Sequence, residues 1–234
     1  MRIALMGAMP EEIEPLLEKI DDICLTEYGA NRYYIGTYAG KEVVVAYSKI
    51  GKVFASLTAA MLLEKFGCDT LLFSGVAGAI REDLHIGDLI MAESLCQHDL
   101  DITAFGHPYG YVPEGKVYVP TDEKLRALAR QVAREKGIEL KEGIIATGDQ
   151  FIADPERKAW IAETFNAAAL EMEGAAVAVV CDALEVPFFV LRAISDSADM
   201  EAGFDFDAFL HKSARISADF ILEMVRRLPD GDND

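Results

Sequence analysis

Basic residues are scarce in this 234-residue chain. Only 22 Lys and Arg stand against 40 Asp and Glu, a formal net charge of -18. Such a surface repels phosphate backbones and anionic headgroups, which argues against nucleic acid and membrane partners. Cysteine is sparse too. Cys24, Cys68, Cys96 and Cys181 make no C-x-x-C spacing, so they read as free thiols in a reducing compartment. No apolar run is long enough to span a bilayer, and residues 1–7 read as a short strand, not a signal peptide. The expectation is a cytoplasmic protein.

Familiar catalytic signatures are missing as well. Without G-x-G-x-x-G or G-K-S/T, the dinucleotide and P-loop readings fail. Without G-x-S-x-G, and with no cysteine near a candidate base, nucleophilic catalysis has little support. His85, His98, His107 and His211 form no H-x-H or H-x-x-x-H pair, so the sequence implies no metal site and no cofactor.

What is present is a core. The chain is 51% hydrophobic and 26% charged, enough apolar material to exclude disorder. Strand-like and helix-like segments interleave from end to end, without repeat, linker or composition break. The expectation is a single-domain three-layer α/β/α fold with a mixed twisted sheet over residues 1–228, followed by an acidic tail at 229–234.

In order, residues 3–6 read as a buried strand, and Pro10 with Glu11 and Glu12 as a helix start. Residues 33–38 and 43–47 read as a hairpin, and 53–66 as a helix closed by Gly67. Residues 70–74 read as a strand running into a glycine-rich turn at 75–79, where backbone can approach a ligand closely. A strand follows at 88–97. The segment 99–113 is long, irregular and aromatic, which points to an interface, with a self-packed Ω-loop as the alternative. A helix at 121–136 stops at Gly137, a strand covers 141–146, and Asp154-Pro155 starts another helix. Glu171 and Glu173 open a helix of small residues, an apolar strand at 186–196 ends in Arg192 and Asp196, and a final amphipathic helix covers 208–228.

Carboxylates at the ends of apolar strands are the best candidates for chemistry: Glu12, Glu173 and Asp196, with Arg192. Taken alone, Glu11 and Glu12 are better explained as compensation of a helix dipole. Three acids without a metal suit cleavage of a glycosidic bond, where one acid protonates the leaving group and another activates water.

The chain resembles the 5′-methylthioadenosine/S-adenosylhomocysteine nucleosidases of the purine nucleoside phosphorylase superfamily. The likeness is carried in order by Gly7-Ala8-Met9 with Glu11-Glu12, Ile50-Gly51-Lys52-Val53, Ser74-Gly75-Val76-Ala77-Gly78, Thr103-Ala104-Phe105-Gly106, Gly148-Asp149-Gln150-Phe151-Ile152, Glu171-Met172-Glu173, Arg192-Ala193-Ile194-Ser195-Asp196 and Phe206-Asp207-Ala208-Phe209. Residues 46–53, 72–78 and Gln97-His98-Asp99 look most like the branch that also hydrolyses 6-amino-6-deoxyfutalosine in menaquinone synthesis.

The resemblance implies roles. Glu12 would polarise the attacking water, and Asp196 would protonate purine nitrogen 7. Glu173 would bind the ribose hydroxyls over Met172. Phe151 would stack near adenine, and the backbone of Ile152 would read its edge. Arg192 would lie near the ribose, and Phe206 would line the base and 5′ region. Ala8, Met9, Ile50, Ser195 and Ala198 complete the implied substrate contacts. Val76 stands where many of these nucleosidases have serine, removing a hydroxyl near the ribose. Ile102, Phe105 and Pro113 would reach across a homodimer to close the neighbour's 5′ pocket. Two rivals remain open: a phosphate-dependent nucleoside phosphorylase, and a catalytically silent nucleoside-binding domain.

Overall fold

The computed structural model describes residues 1–198 and 202–229. Strand β1 (Arg2–Gly7) leads into α1 (Pro10–Leu17), and three strands follow: β2 (Asp21–Tyr28), β3 (Asn31–Tyr38) and β4 (Lys41–Tyr47). Helix α2 (Lys52–Ala60) continues into a π-helical turn at Met61–Lys65, then comes β5 (Thr70–Ala79). The second half holds β6 (Leu89–Gln97), the short β7 (Val119–Pro120), α3 (Glu123–Lys136), β8 (Leu140–Thr147), α4 (Pro155–Phe165), β9 (Ala167–Glu171), α5 (Gly174–Ala183), β10 (Phe188–Asp196) and α6 (Ala202–Arg227).

The central strands are apolar on both faces because both faces are covered. Ile3 and Leu5 of β1, Val43 and Val45 of β4, and Leu72 of β5 pack toward α1, α3 and α6. Their neighbours Ala4, Met6, Val44, Ala46, Leu71 and Phe73 pack on the other side, toward α2 and α5. Alternation of Cβ direction along each strand thus divides one apolar run between two cores, and three layers result. The sheet is mixed: β1 pairs in parallel with β4 and β5, and β6 with β8, whereas β3 pairs antiparallel with β4, and β10 with β6.

Strand β5 is where the sheet closes. Its first half pairs with β1 on one side and β10 on the other. Its end, Gly78–Ala79, leaves β1 and pairs with Leu170 and Ala169 of β9. Strands β5, β9, β8, β6 and β10 therefore form a ring, with β1, β4, β3 and β2 extending from it. This corrects the turn expected at 75–79: the glycines sit in a strand at the point where it changes partner.

Besides the two-residue β7, two strands escape the sequence pattern. The five residues of β9 are alanine-rich and weak strand formers, held extended by β8 and β5 on either side. Strand β2 is an edge strand paired only with β3, and its largely exposed sequence shows no apolar alternation. The helix expected at 121–136 begins two residues later, while the stop at Gly137 and the cap at Asp154 fall where expected. Asp122 caps α3 through the Leu125 N–H at 2.9 Å, and Gly137 ends it with φ +65°. Asp154 caps α4 through the Arg157 N–H at 3.0 Å. The expected acidic tail at 229–234 lies, Pro229 apart, outside the described residues.

Candidate active site

Strand ends converge on a single cleft of about 590 Å³, counted with its open mouth. Ala8 and Met9 follow β1, Val76 to Gly78 belong to β5, and Ser195 and Asp196 end β10. Glu12, Ile50, Phe151, Ile152, Met172, Glu173, Ala198 and Phe206 complete its walls among the residues expected from the sequence. Glu12, Glu173 and Asp196 are each no more than 5% exposed, although they lie far apart in the chain.

Glu12 is the third residue of α1. Its Oε2 accepts the N–H groups of Ala8 at 2.5 Å and Met9 at 3.2 Å, and its Oε1 accepts the Val76 N–H at 3.0 Å. The side chain thus satisfies free N–H groups at a helix start and also lines the cleft. Burial raises its pKa above the ordinary value, and the Arg192 charge and the three N–H groups oppose that rise.

Glu173 precedes α5, and its Oε1 accepts the Gly51 N–H at 2.8 Å. Burial first, and then the charge of Glu171, push it up to about 8. A raised carboxyl holds its proton to higher pH than a free one, and in its protonated form it can donate as well as accept. Asp196 is held at both oxygens: Oδ2 accepts the Ser195 hydroxyl and Oδ1 the Ala198 N–H, each at 2.9 Å.

The glycines of Ser74-Gly75-Val76-Ala77-Gly78 make room for these acids. A Cβ on Gly75 would sit 2.8 Å from Oε1 of Glu12, and one on Gly78 would sit 2.6 Å from Oδ1 of Asp196. The close approach expected at this run is made by the chain's own carboxylates.

Arg192 stands behind the cleft wall rather than on it. It is 1% exposed, bonds Oε2 of Glu171 at 2.7 Å, and lies 4.0 Å from the centre of the Phe73 ring. Glu171 also accepts the Gly174 N–H at 2.7 Å and the Thr147 hydroxyl, so one buried carboxylate joins β8, β9, β10 and α5. Removing one partner of such a pair costs about 3–5 kcal/mol. Glu171 lines the cleft, and its side chain occupies the Arg192 charge. Gly51, Thr147 and Gln150 were missed because a backbone donor, a hydrogen-bonding hydroxyl and a loop amide leave no sequence pattern.

The mouth is apolar. Phe151 meets Phe206 edge-to-face with centroids 5.8 Å apart, and Val76 packs with Leu210, Ala214, Met9 and Phe206. Ile102, Phe105 and Pro113 are not brought to this cleft, and Phe105 is 81% exposed. Among the described residues no cluster of three or more His, Cys, Asp or Glu could hold a metal ion.

The closed mixed sheet with a carboxylate-lined cleft at its strand ends defines a class of α/β enzymes. The chain belongs to the phosphorylase superfamily, whose family description matches residues 2–226. It is 57% identical to the aminodeoxyfutalosine nucleosidase of Campylobacter jejuni over 228 residues, 97% of this chain and 100% of that one. It is 40% identical to the 5′-methylthioadenosine/S-adenosylhomocysteine nucleosidase of Aeromonas salmonicida, covering 97% of this chain and 100% of the relative. The Helicobacter pylori 5′-methylthioadenosine/S-adenosylhomocysteine nucleosidase with butyl-thio-DADMe-Immucillin-A superposes with a TM-score of 0.95 at 49% identity, covering 97% of this chain and 98% of that one.

Proposed function

We infer that this chain is an N-ribosyl hydrolase that releases adenine from 5′-methylthioadenosine, S-adenosylhomocysteine and 6-amino-6-deoxyfutalosine. Relatives with those activities in their names match it over nearly their whole length. Residues 1–228 form the nucleosidase domain. The cytoplasm is the proposed compartment, in keeping with four free cysteines. No helix among the described residues is long and apolar enough to cross a membrane.

Adenine is a poor leaving group as an anion. Asp196 removes that difficulty by protonating ring nitrogen 7 as the glycosidic bond breaks. Glu173 holds the ribose hydroxyls over Met172, and Phe151 and Ile152 hold the base. Glu12 accepts a proton from the water that attacks the anomeric carbon. Positive charge growing on the sugar is favoured by carboxylates fixed in advance around it. Arg192 acts from behind the wall by binding Glu171. The loop at 99–113 carries Ile102, Phe105 and Pro113 into the 5′ pocket of a second copy in a homodimer, which accounts for the exposure of Phe105.

One observation separates hydrolysis from phosphorolysis. A phosphate nucleophile needs free amide donors or cations, and the N–H groups of Ala8, Met9 and Val76 are all bonded to Glu12. That carboxylate takes the place where an anion would dock, and its charge repels one. The test is adenine release from the three nucleosides with and without inorganic phosphate. Equal rates are expected. Strict dependence on phosphate would give the wrong nucleophile to Glu12, and no release from any of the three would leave only a binding domain.

A further inference from the structure

Two loops that wall the cleft meet outside it in a closed cycle of hydrogen bonds. Nζ of Lys52 donates to Oδ1 of Asp99 at 2.6 Å and to Oε1 of Gln97 at 3.0 Å. Oδ2 of Asp99 accepts the Asp149 N–H at 2.8 Å. Oδ1 of Asp149 accepts the Lys52 N–H, again at 2.8 Å, and the cycle closes. The Lys52 and Asp99 side chains are 18% and 16% exposed, so solvent screens their pairing only in part. Burial works to raise the Asp99 carboxyl, but the bonds from Lys52 and Asp149 prevail and hold it below its ordinary value.

None of the three side chains lies on the cleft wall, yet Lys52 and Asp149 each adjoin a residue that acts there. Gly51, beside Lys52, gives its N–H to Glu173. Its φ is +103°, and a Cβ there would stand 3.1 Å from Oδ1 of Asp149, so the two loops touch where a side chain would part them. Gln150, Phe151 and Ile152 directly follow Asp149 and line the cleft. Asp99 is the first residue of the aromatic 99–113 segment. Farther along that segment, Tyr109 packs edge-on against Trp160 of α4 with centroids 5.1 Å apart.

We propose that Lys52, Asp99 and Asp149 form a positioning clasp that fixes the loop holding Glu173 against the loop holding the base, and ties both to the root of the 99–113 segment. The clasp sets the distance between the sugar-binding and base-binding walls without touching the reacting atoms. It rests on the nucleosidase reading for the identity of the ligand, but not for the geometry. Loosening it weakens binding of the nucleoside while leaving the acid and the base in place, and misplacement of a binding wall by about 1 Å is enough to be felt kinetically.

The experiment compares K52M, K52R and D99N with the parent full-length protein. With 5′-methylthioadenosine as substrate, K52M and D99N are expected to raise KM about tenfold or more while kcat changes by less than about threefold, and K52R is expected to restore KM to within about threefold. A merely structural role would lower Tm and leave KM alone. KM within about twofold of the parent in both K52M and D99N, or a fall in kcat at unchanged KM, overturns the clasp. Should K52M not fold, D99N, nearly the same shape without the charge, carries the test.

Amide hydrogen exchange supplies a readout that needs no turnover. The Lys52 and Asp149 amides are expected to exchange about tenfold faster in K52M and D99N while β1 and β5 keep the parent's protection. Unchanged rates at those two amides overturn the proposal. Parent protein that shows this protection but releases no adenine would sink the nucleosidase reading and leave the clasp standing.

Discussion

Glutamates occupy two very different settings in this protein. On the surface shared by α3 and α6 each lies beside an arginine. Glu123 bonds Arg130 at 2.8 Å, Glu142 bonds Arg130 twice at 2.7 Å, and Arg227 bonds both Glu223 and Glu135. Arg130 holds Glu123 below the ordinary carboxylate range, and Gln131 and then Arg227 do the same for Glu135. In the cleft the same residue type behaves in the opposite way. Burial raises Glu12 and Glu173, and the charge of Arg192, which is bonded to Glu171, offsets that rise only in part. The contrast teaches that withholding a counter-charge, more than gathering acids, gives the cleft its character. A surface acid with its own arginine is solvated structure, whereas a buried acid not bonded to one is poised to move a proton.

The contrast breaks hardest at Asp196. Asp196→Asn keeps the shape and the contacts to Ser195 and Ala198 but cannot transfer a proton to adenine, so kcat for adenine release is expected to fall by about 10²–10⁴ with the fold intact. Single-turnover measurement beside a melting curve checks it, and turnover above about a tenth of the parent's rate would remove the acid role.

Gly78→Ala probes the seat of that acid. The added Cβ would meet Oδ1 of Asp196 at 2.6 Å and must displace the carboxyl. A loss of about 10²-fold in kcat/KM is expected, which a kinetic assay measures directly.

Glu173→Gln sharpens the comparison through stability. The parent group ionises near pH 8 when folded but at its ordinary 4.5 when unfolded. Between those values the unfolded chain binds fewer protons, so the parent's stability falls as pH rises. Gln has no such slope. The variant is expected to gain on the parent from pH 5 to pH 8, by about 2–4 kcal/mol at the upper end. Parallel stability curves at the two pH values would contradict the raised acid.

The smallest effect belongs to the surface. Arg227→Met removes the bonds to Glu223 and Glu135, but water screens such pairs, and Tm is expected to move by less than about 3 °C. A larger drop would mean that these surface pairs stabilise the fold as strongly as the buried pair does.

Legibility differs between fold and site in a physically consistent way. Strand β1 and helices α3, α4 and α6 could be read because their signals are local: an apolar run, capping aspartates, a terminal glycine and a one-sided apolar face. Strand β9 could not, because its extended form is imposed by β8 and β5 on an alanine-rich segment. The end of β5 was misread because its glycines serve carboxylates that arrive from α1 and β10. In the site, many of the residues that form the cleft wall could be named from their motifs, whereas Gln150 and Glu171 could not. Arg192 could be named but not placed, since nothing near it in the chain reveals that its partner is Glu171, 21 residues earlier.

By itself the sequence determined which residues are acids, where apolar runs begin and end, and which family the motifs resemble. These depend on residue type and spacing alone. Only the tertiary structure decided which acid receives a counter-charge. Burial and pairing are set by residues distant in the chain, and a carboxylate's proton affinity depends on what surrounds it in space. Glu12, Glu171 and Glu173 are one residue type with three different surroundings: three backbone N–H groups, an arginine, and a single glycine N–H within the cleft.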